Sequence, residues 1–400
     1  MSEQKIAEDF PPPESSPSPG AAAIFGSFLR LGITSFGGPA MIAHIKELSV
    51  KRHKWLTEET FKDGVVICQS VPGATAMQMA AYVGLRVKGV RGAVASYIGF
   101  GLPAFLLMLT LAVFYSGSRE LPLVVALFQG LQVMVVAIVA IATFTFGRDI
   151  GKKPLNLVLA AVAAALFWIG VSPFVVIVGA AIAGALLFKG PALSPSFTKK
   201  EGDAGKVPRP IVVFMILACA GVVGLYFAER KLYQLAALML RIDLFAFGGG
   251  FASLPLMFHE VVNAMGWMDG KTFMDGIALG QVTPGPIIIT ATFVGYLVRG
   301  FPGALVATAA IFTPSFVVLV AVTPFFDRLK NTRHFSGATR GILASFVGLL
   351  CYMTIRFAVA VPWEMTKILF GIAVVIALAR KINILYVVLI GSALSVIVFR

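Results

Sequence analysis

Hydrophobic residues fall into long runs separated by short polar segments over most of the chain. About thirteen of these runs have the length and spacing of membrane-spanning helices. Runs 154–169 and 172–189 are short and predict a tight hairpin around Ser172-Pro173. Because lipid cannot hydrogen-bond the backbone, the pattern predicts an all-α polytopic membrane protein. The runs lie near 21–43, 62–84, 91–115, 122–147, 154–169, 172–189, 210–228, 235–257, 272–297, 303–323, 338–360, 365–379 and 384–399.

The composition strengthens this prediction. Of 400 residues, 58% are hydrophobic and 13% are charged, whereas soluble domains carry about 25% charged residues. This deficit excludes an ordinary soluble enzyme and a disordered chain. The three cysteines, Cys68, Cys219 and Cys351, are widely spaced in apolar surroundings. We therefore predict no disulfide framework, no metal site and no cofactor.

Positive charge predicts the membrane orientation. The net charge is +14, and the basic residues cluster in alternate loops, as is typical of cytoplasmic loops. We therefore predict the lipid bilayer, and not a nucleic acid, as the partner of this charge, with the N-terminus cytoplasmic and the C-terminus outside a plasma membrane. The basic loops contain Arg86/Lys88/Arg91, Arg148/Lys152/Lys153, Lys189/Lys199/Lys200/Lys206/Arg209, Arg328/Lys330/Arg333 and Arg380/Lys381.

The segment 44–62 is an exception, because strict alternation puts it outside although it holds five basic residues. Its acidic residues keep its net charge small. Two interpretations remain open. The segment is an interfacial helix, or the first two runs dip into the bilayer and return without crossing, which would leave the remaining alternation unchanged.

The two halves of the chain repeat each other. Residues 28–39 (FLRLGITSFGGP) match 239–250 (MLRIDLFAFGGG) at an offset of 211, and Gln69-x-x-Pro-Gly matches Gln281-x-x-Pro-Gly at an offset of 212. Seven runs precede the second copy, so the copies are expected to be inverted, as in many transporters. We predict a disordered cytoplasmic tail at 1–20, repeats at 21–189 and 210–400, and a cytoplasmic linker at 190–209.

Each copy contains two Gly/Pro breaks within its apolar runs. Breaks free backbone groups that need partners in the protein or in an aqueous cavity, and exposed helix N-termini attract anions. Close packing at Gly and kinking at Pro are the alternative, but four breaks paired across a repeat favour a site. The predicted substrate-binding residues at the breaks are Ser35, Gly37, Gly38, Pro39, Gln69, Pro72, Gly73, Gly248, Gly249, Gly250, Gln281, Thr283, Pro284, Gly285 and Pro286.

Charged residues lie close to these breaks. Arg30 and Arg241 occupy the same repeat position, and cations inside apolar runs usually have a function or a partner. We predict that they bind an anionic substrate, with snorkelling to the interface as the alternative. Asp243 either neutralises Arg241 or responds to protons. Other predicted gate or coupling residues, which an inert loop cluster would equally explain, are His44, Lys46, Glu47, His259 and Glu260.

The duplicated motifs resemble the chromate ion transporter family in its long, two-domain form. Phe36-Gly-Gly-Pro39 carries one motif intact and Pro284-Gly-Pro286 the other, whereas Gly250 and Ala74 replace a proline in the matching positions. The resemblance covers roughly residues 24 to 360. It implies a bacterial or archaeal membrane transporter that exports chromate and confers chromate resistance, with sulfate as a related oxyanion.

The energetics suit export. A dianion that leaves an inside-negative cell gains about 4.6 kcal/mol per 100 mV, so no ATP is needed, and the chain has no P-loop motif. A sulfate carrier and an anion channel remain alternatives, because the donor set would be the same. A membrane-embedded enzyme is disfavoured by the lack of a catalytic motif in the apolar runs. Proton coupling and a homodimer are left open.

Overall fold

The computed structural model describes residues 19–36, 38–150, 154–188, 208–326 and 333–399. Most of the predicted tail, most of the linker and Gly37 lie outside these ranges. In the described part the chain forms fifteen α-helices. They are α1 Ala21–Thr34, α2 Gly38–Lys46, α3 Glu58–Ser70, α4 Thr75–Ser118, α5 Pro122–Ile150, α6 Pro154–Trp168, α7 Pro173–Leu187, α8 Arg209–Ala228, α9 Arg230–Phe245, α10 Gly250–Phe258, α11 Gly270–Val282, α12 Thr290–Val322, α13 Arg333–Ala360, α14 Met365–Ala379 and α15 Ile384–Val398.

Helix α4 bends sharply and folds back on itself. Lys88 and Gly89 leave the helical conformation, and a Cβ atom on Gly84 would lie 2.2 Å from the carbonyl oxygen of Gly92. Such an approach between residues eight positions apart requires two antiparallel limbs, 75–87 and 90–118. The second copy repeats the bend at Arg299 and Gly300, where Gly295 approaches the Gly303 carbonyl in the same way.

The Pro-Gly break of the first copy joins two antiparallel helices. Near the start of α3, the Thr60 carbonyl accepts a hydrogen bond from Tyr82 late in the first limb of α4, at 3.2 Å. Gly64 packs against the same Tyr82 ring. Helix α3 has 13 residues and spans about 20 Å, less than the roughly 30 Å of a hydrocarbon core. The predicted run 62–84 is therefore a re-entrant hairpin, because its two helices are too short to cross and turn back at Pro72-Gly73.

The Phe-Gly-Gly break forms a second re-entrant hairpin. Helix α1 begins beside the α4 bend, where Lys88 Nζ donates to the Pro19 carbonyl at 3.2 Å. Helix α2 ends close to the start of α3, because Lys46 Nζ lies 2.7 Å from Glu58 Oε2. Both ends of residues 21–46 therefore lie at one end of the bundle. These contacts favour the second interpretation of segment 44–62, in which the first two runs dip and return.

The second copy has the same four arms. Helices α9 to α12 follow the order of α1 to α4, and the N-cap side chains of α3 and α11, Thr57 and Asp269, stand at matching positions. Gly276 packs on Phe293 as Gly64 packs on Tyr82. The predicted runs 235–257 and 272–297 are thus also re-entrant hairpins rather than single crossings.

The second copy enters from the opposite end of the bundle. Tyr115, at the far end of the limb 90–118, donates to Asp275 near the start of α11 at 2.8 Å. Ser395, at the end of α15, bonds to the Ala126 carbonyl at the start of α5 at 2.6 Å. Helix α8 is the element without a counterpart in the first copy, and it reverses the chain between the copies. The two repeats are therefore inverted.

The remaining nine predicted runs each correspond to one helix or to one limb of a bent helix. Five helical stretches are long and apolar enough to cross a membrane, namely Thr75–Ser118, Pro122–Arg148, Arg209–Ala228, Ile287–Phe325 and Phe335–Ala360, and shorter apolar helices pack around them. The tight turn between α6 and α7 at Pro173 is confirmed. The end that carries segment 44–62 and the α4 bend, with Arg86, Lys88 and Arg91, is called the basic end below.

Candidate functional site

Four hairpin tips meet in the interior of the bundle. Tip 1 is at Ser35-Phe36, tip 2 at Val71–Ala74, tip 3 at Ala246–Gly249 and tip 4 at Thr283–Pro286. The Gly73 N–H donates to the Ala246 carbonyl at 2.9 Å, and the Gly285 N–H donates to the Ser35 carbonyl at 2.9 Å. Each Pro-Gly tip thus bonds to the Phe-Gly-Gly tip of the other copy, so the repeats are tied together at their breaks.

Glycine is required at the Pro-Gly tips. Gly73 and Gly285 have φ values of +120° and +99°, which residues with a Cβ rarely adopt. A Cβ on Gly73 would lie 2.0 Å from Ser315 Oγ, and one on Gly285 would lie 2.9 Å from the Ala104 Cβ. Because their N–H groups serve the cross-tip bonds, these two glycines hold the tips together and do not offer those amides to a ligand.

A cavity of about 440 Å³ lies among tips 2, 3 and 4. Its outer wall is apolar and includes Phe146 and Ile150 at the end of α5 and Ile384 at the start of α15. These helix ends belong to the basic end, so the cavity extends toward that end. The residues that line it from the breaks and adjoining helices are Met41, Ile42, Gln69, Ala74, Thr75, Ala76, Gly248, Gly249, Gly250, Phe251, Gly280, Gln281, Thr283, Gly285, Pro286 and Ile287.

Helix N-termini face this cavity from both copies. Helix α4 begins at Thr75, α10 begins at Gly250, and a 3₁₀ turn at Ile287 leads into α12. The first residue of each of these segments lines the wall. The first amides of a helix lack intrahelical acceptors and carry the positive end of the helix dipole. Helix N-termini of this kind favour negative charge in their vicinity.

The first helix of every hairpin ends at a tip, so its carbonyl groups point into the same region. The negative ends of these helix dipoles reduce the positive potential of the helix N-termini. Two of those carbonyls, on Ser35 and Ala246, already accept the cross-tip bonds. These two bonds leave fewer free carbonyl groups to oppose the helix N-termini.

Two glutamines add side-chain donors at matching positions. Gln69 and Gln281 both line the cavity, and Gln281 Nε2 is buried without a hydrogen-bond partner among the described residues. A buried amide donor without a partner is costly, so a ligand acceptor at this place would relieve that cost. Thr283 also lines the wall, but its hydroxyl donates to the Gly280 carbonyl at 2.9 Å.

The two arginines lie away from this wall. Arg30 is exposed on α1 and forms no ion pair with another described residue. Arg241 pairs with the buried Glu260 and stacks on Phe174, 4.4 Å from the ring centroid. Their role as substrate ligands stays a prediction, and the donors that line the cavity are uncharged.

The other predicted residues divide between the tips and the surface. Ser35 Oγ lies 3.3 Å from His44 Nδ1 at tip 1, and His259 Nδ1 lies 3.5 Å from Glu260 Oε1. Lys46 pairs with Glu58, and Glu47 pairs with Lys51 at 2.9 Å. Pro72 and Pro284 shape their tips without lining the cavity, while Gly38 and Pro39 begin α2. None of these contacts tests a gating role.

Asp243 does not neutralise Arg241. Its carboxylate is buried and accepts two hydrogen bonds from Ser315, from the backbone N–H at 2.7 Å and from Oγ at 2.6 Å. Arg241 is occupied by Glu260, and neighbouring positions on a helix face different sides. Sequence reasoning missed Ser315 altogether. The available signal was that the matched prolines Pro103 and Pro314 are followed by different residues, Ala104 and Ser315.

Inverted hairpins that meet inside a polytopic bundle define a class of protein, the membrane transporters with inverted repeats and interrupted helices. The sequence model of the chromate transporter family matches residues 22–185 and again 233–396. The chain therefore belongs to the chromate transporter family, and this places it among transporters of oxyanions rather than enzymes. The two matches begin 211 residues apart, which is the offset of the repeats.

Individual relatives agree with the family. The chain is 42% identical to an uncharacterized transporter of Methanocaldococcus jannaschii over 95% of both chains. It is 30% identical to a chromate transport protein of Cupriavidus metallidurans over 81% of this chain and 79% of that protein. It is 28% identical to a chromate transport protein of Pseudomonas aeruginosa over 98% and 94%. No solved structure matches the chain.

Proposed function

We propose that this protein exports chromate, a tetrahedral dianion, through the tip cavity, driven by the membrane potential. The observation that carries the proposal is the set of helix N-termini from both copies, joined by Gln69 and Gln281, around one cavity. Amide and hydroxyl donors suit an oxyanion that must bind and leave again, because they attract it without the strong ion pair of a buried cation.

The direction of transport follows from the charge of the substrate and the orientation of the protein. In our proposal the basic end faces the cytoplasm of a cell whose plasma membrane contains the protein. The cavity extends toward this end, so cytoplasmic chromate can enter it. An inside-negative potential of about 100 mV then favours exit of the dianion by about 4.6 kcal/mol, which sustains a gradient of about three orders of magnitude.

The test is chromate release from proteoliposomes that contain the full chain. A potassium diffusion potential set by valinomycin makes the lumen negative, positive or neutral. We expect release to be saturable, fastest with a negative lumen and slowest with a positive one. Release equal to that of protein-free liposomes at every potential would refute the proposal. Sulfate in the same assay separates a chromate exporter from a general oxyanion carrier, and unsaturable conductance would indicate a channel.

A variant tests the site within this assay. Gln281→Leu removes the unpartnered donor, and we expect the concentration for half-maximal release to rise about tenfold or more, since a hydrogen bond to an ion contributes about 1.5–3 kcal/mol. Gln234→Leu is the matched control, because Gln234 lies on α9 outside the cavity lining. If Gln281→Leu and Gln234→Leu had equal concentrations for half-maximal release, the substrate would not bind in this cavity.

A further inference from the structure

A buried carboxylate is linked to the wall of the tip cavity by two hydrogen bonds. The Ala74 N–H at tip 2 donates to Ser315 Oγ at 3.1 Å, and Ser315 Oγ donates to Asp243 Oδ2 at 2.6 Å. Ala74 lines the cavity. Asp243 has no exposed surface, and its second oxygen, Oδ1, has no hydrogen-bond partner among the described residues. The carboxylate is thus two hydrogen bonds away from the wall of the cavity proposed to bind the substrate, and one of its two oxygens has no hydrogen bond to the described residues.

No cation balances this carboxylate. Among the described residues, no Lys, Arg or His nitrogen lies within 4.0 Å of its oxygens. The surrounding elements contribute polar or neutral groups: Ser315 from α12, the backbone of tip 2, and Tyr97 from α4, whose hydroxyl donates to the Phe312 carbonyl at 2.7 Å. An ionised carboxylate that is buried and unpaired is costly, so a proton is its natural partner.

The site belongs to one copy only. The positions that match Asp243 and Ser315 in the first copy are Gly32 and Ala104. Gly32 has no room for a side chain, since a Cβ there would lie 2.5 Å from the Phe100 carbonyl oxygen. The inverted architecture therefore forms at tip 4 without a carboxylate, and Asp243 is not required to build a tip of this kind.

We propose that Asp243 exchanges a proton with occupancy of the tip cavity, binding the proton when an oxyanion dianion enters and releasing it to solvent when the dianion leaves. This inference rests on the proposed function. A dianion in the cavity repels the Asp243 carboxylate and so favours its protonated form. By reciprocity the protonated protein binds the dianion more tightly. Affinity for the oxyanion is therefore greatest at low pH and falls as the pH rises and Asp243 loses its proton.

The experiment is calorimetric titration of the purified full chain with chromate, from about pH 7.5 upward so that chromate itself stays a dianion. We expect the wild-type Kd to rise about tenfold over about two pH units. Repeating the titration in buffers of different ionisation enthalpy should show proton uptake on binding. With Asp243→Asn, whose amide oxygen can still accept from Ser315, the Kd should be constant with pH and the proton uptake should vanish.

Two further variants test whether the pH dependence is specific to the Asp243 carboxylate. Asp275→Asn neutralises another buried carboxylate, which is held by Tyr115 and Gln132 and lies outside the cavity lining. This control should keep the wild-type pH dependence. Ser315→Ala removes one donor from the ionised carboxylate, so the pH dependence of the Kd should remain but move to higher pH.

Each outcome separates the two proposals. Chromate binding with the same pH dependence in the wild type and Asp243→Asn would overturn the proton-exchange inference alone, and so would pH-independent binding by the wild type. If Asp243→Asn fails to fold, the proton uptake of the wild type and its retention in Asp275→Asn still decide. Absence of chromate binding by a folded wild type at every pH would overturn the proposed function as well.

Discussion

Tips 2 and 4 share a backbone but not their anchors. Both place a left-handed glycine after a proline, and both bond to the opposite copy at 2.9 Å. Tip 2 is also held by polar groups, since Ser315 accepts from Ala74 and Gln78 donates to the Pro72 carbonyl at 2.6 Å. Tip 4 packs against the methyl group of Ala104 instead. The comparison teaches that the two copies share one architecture although only one of them carries a titratable support.

The largest effect is expected from a methyl group at the Pro-Gly tips. Gly73→Ala meets Ser315 Oγ at 2.0 Å, and its φ of +120° is unfavourable for alanine. We expect a loss of at least about 3 kcal/mol of stability and of chromate release. Gly285→Ala meets only the Ala104 methyl group and should lose less. Thermal unfolding in detergent and release from liposomes measure both. Equal losses would show that the tips are anchored alike.

A smaller effect is expected at the paired arginines. Arg241→Gln leaves the buried Glu260 without its cation, and we expect a loss of about 1–3 kcal/mol of stability, because a buried charge without a partner is unfavourable. Arg30→Gln should be nearly neutral for stability. The double variant Arg241→Gln/Glu260→Gln should regain most of the loss. A chromate affinity that falls with Arg30→Gln at unchanged stability would instead place Arg30 on the substrate path.

The smallest effect concerns the outer ends of the hairpins. The ammonium of Lys46, which hydrogen-bonds Glu58 at 2.7 Å, holds the pKa of that carboxyl below its usual value. The resulting stabilisation is present above the usual pKa and is lost as the pH falls through the lowered one. In the second copy Phe258 packs at the matching place, against Gly270. The protection of the amides of 47–57 against exchange, corrected for the intrinsic rate at each pH, should fall on acidification because this ion pair is lost.

Lys46→Met provides the check on this last expectation. It should make the protection of segment 47–57 less sensitive to acid and leave segment 259–269 as it was. Equal acid sensitivity of segment 47–57 in the wild type and in Lys46→Met would mean that the ion pair contributes nothing measurable at this surface, as is common for exposed pairs.

Much of the fold could be predicted from the spacing of apolar runs and from the repeat. Five of the runs correspond to stretches that are long and apolar enough to cross a bilayer, and four more form apolar helices of 15 residues. The re-entrant hairpins could not be predicted from the length of the runs. Residues 21–43 and 62–84 are long enough to cross once, and only tertiary contacts such as Lys46 with Glu58 and Tyr82 with Thr60 turn them back.

The candidate site was predictable where backbone chemistry determines it. Gln69, Gln281 and the glycines 248–250 do line the cavity, because Gly and Pro reveal where helices must end. Side-chain partners were harder to foresee. Arg241 was chosen for the cost of its charge, yet Glu260 on another helix satisfies that charge. Ser315 lies 72 residues from Asp243 in the sequence, and no local sequence pattern predicts a contact between residues so far apart.

The exchange of bonds between tips has a consequence for biosynthesis. The ribosome completes the first copy before Ala246 and Gly285 exist, so the Gly73 amide and the Ser35 carbonyl have no partners at that stage. Unpaired backbone groups are unfavourable in lipid, and a nascent first half would keep its hairpins loose or shielded by the insertion machinery. The hairpins then close only late in synthesis, when the second copy has been inserted in the opposite orientation and the two cross-tip hydrogen bonds can form.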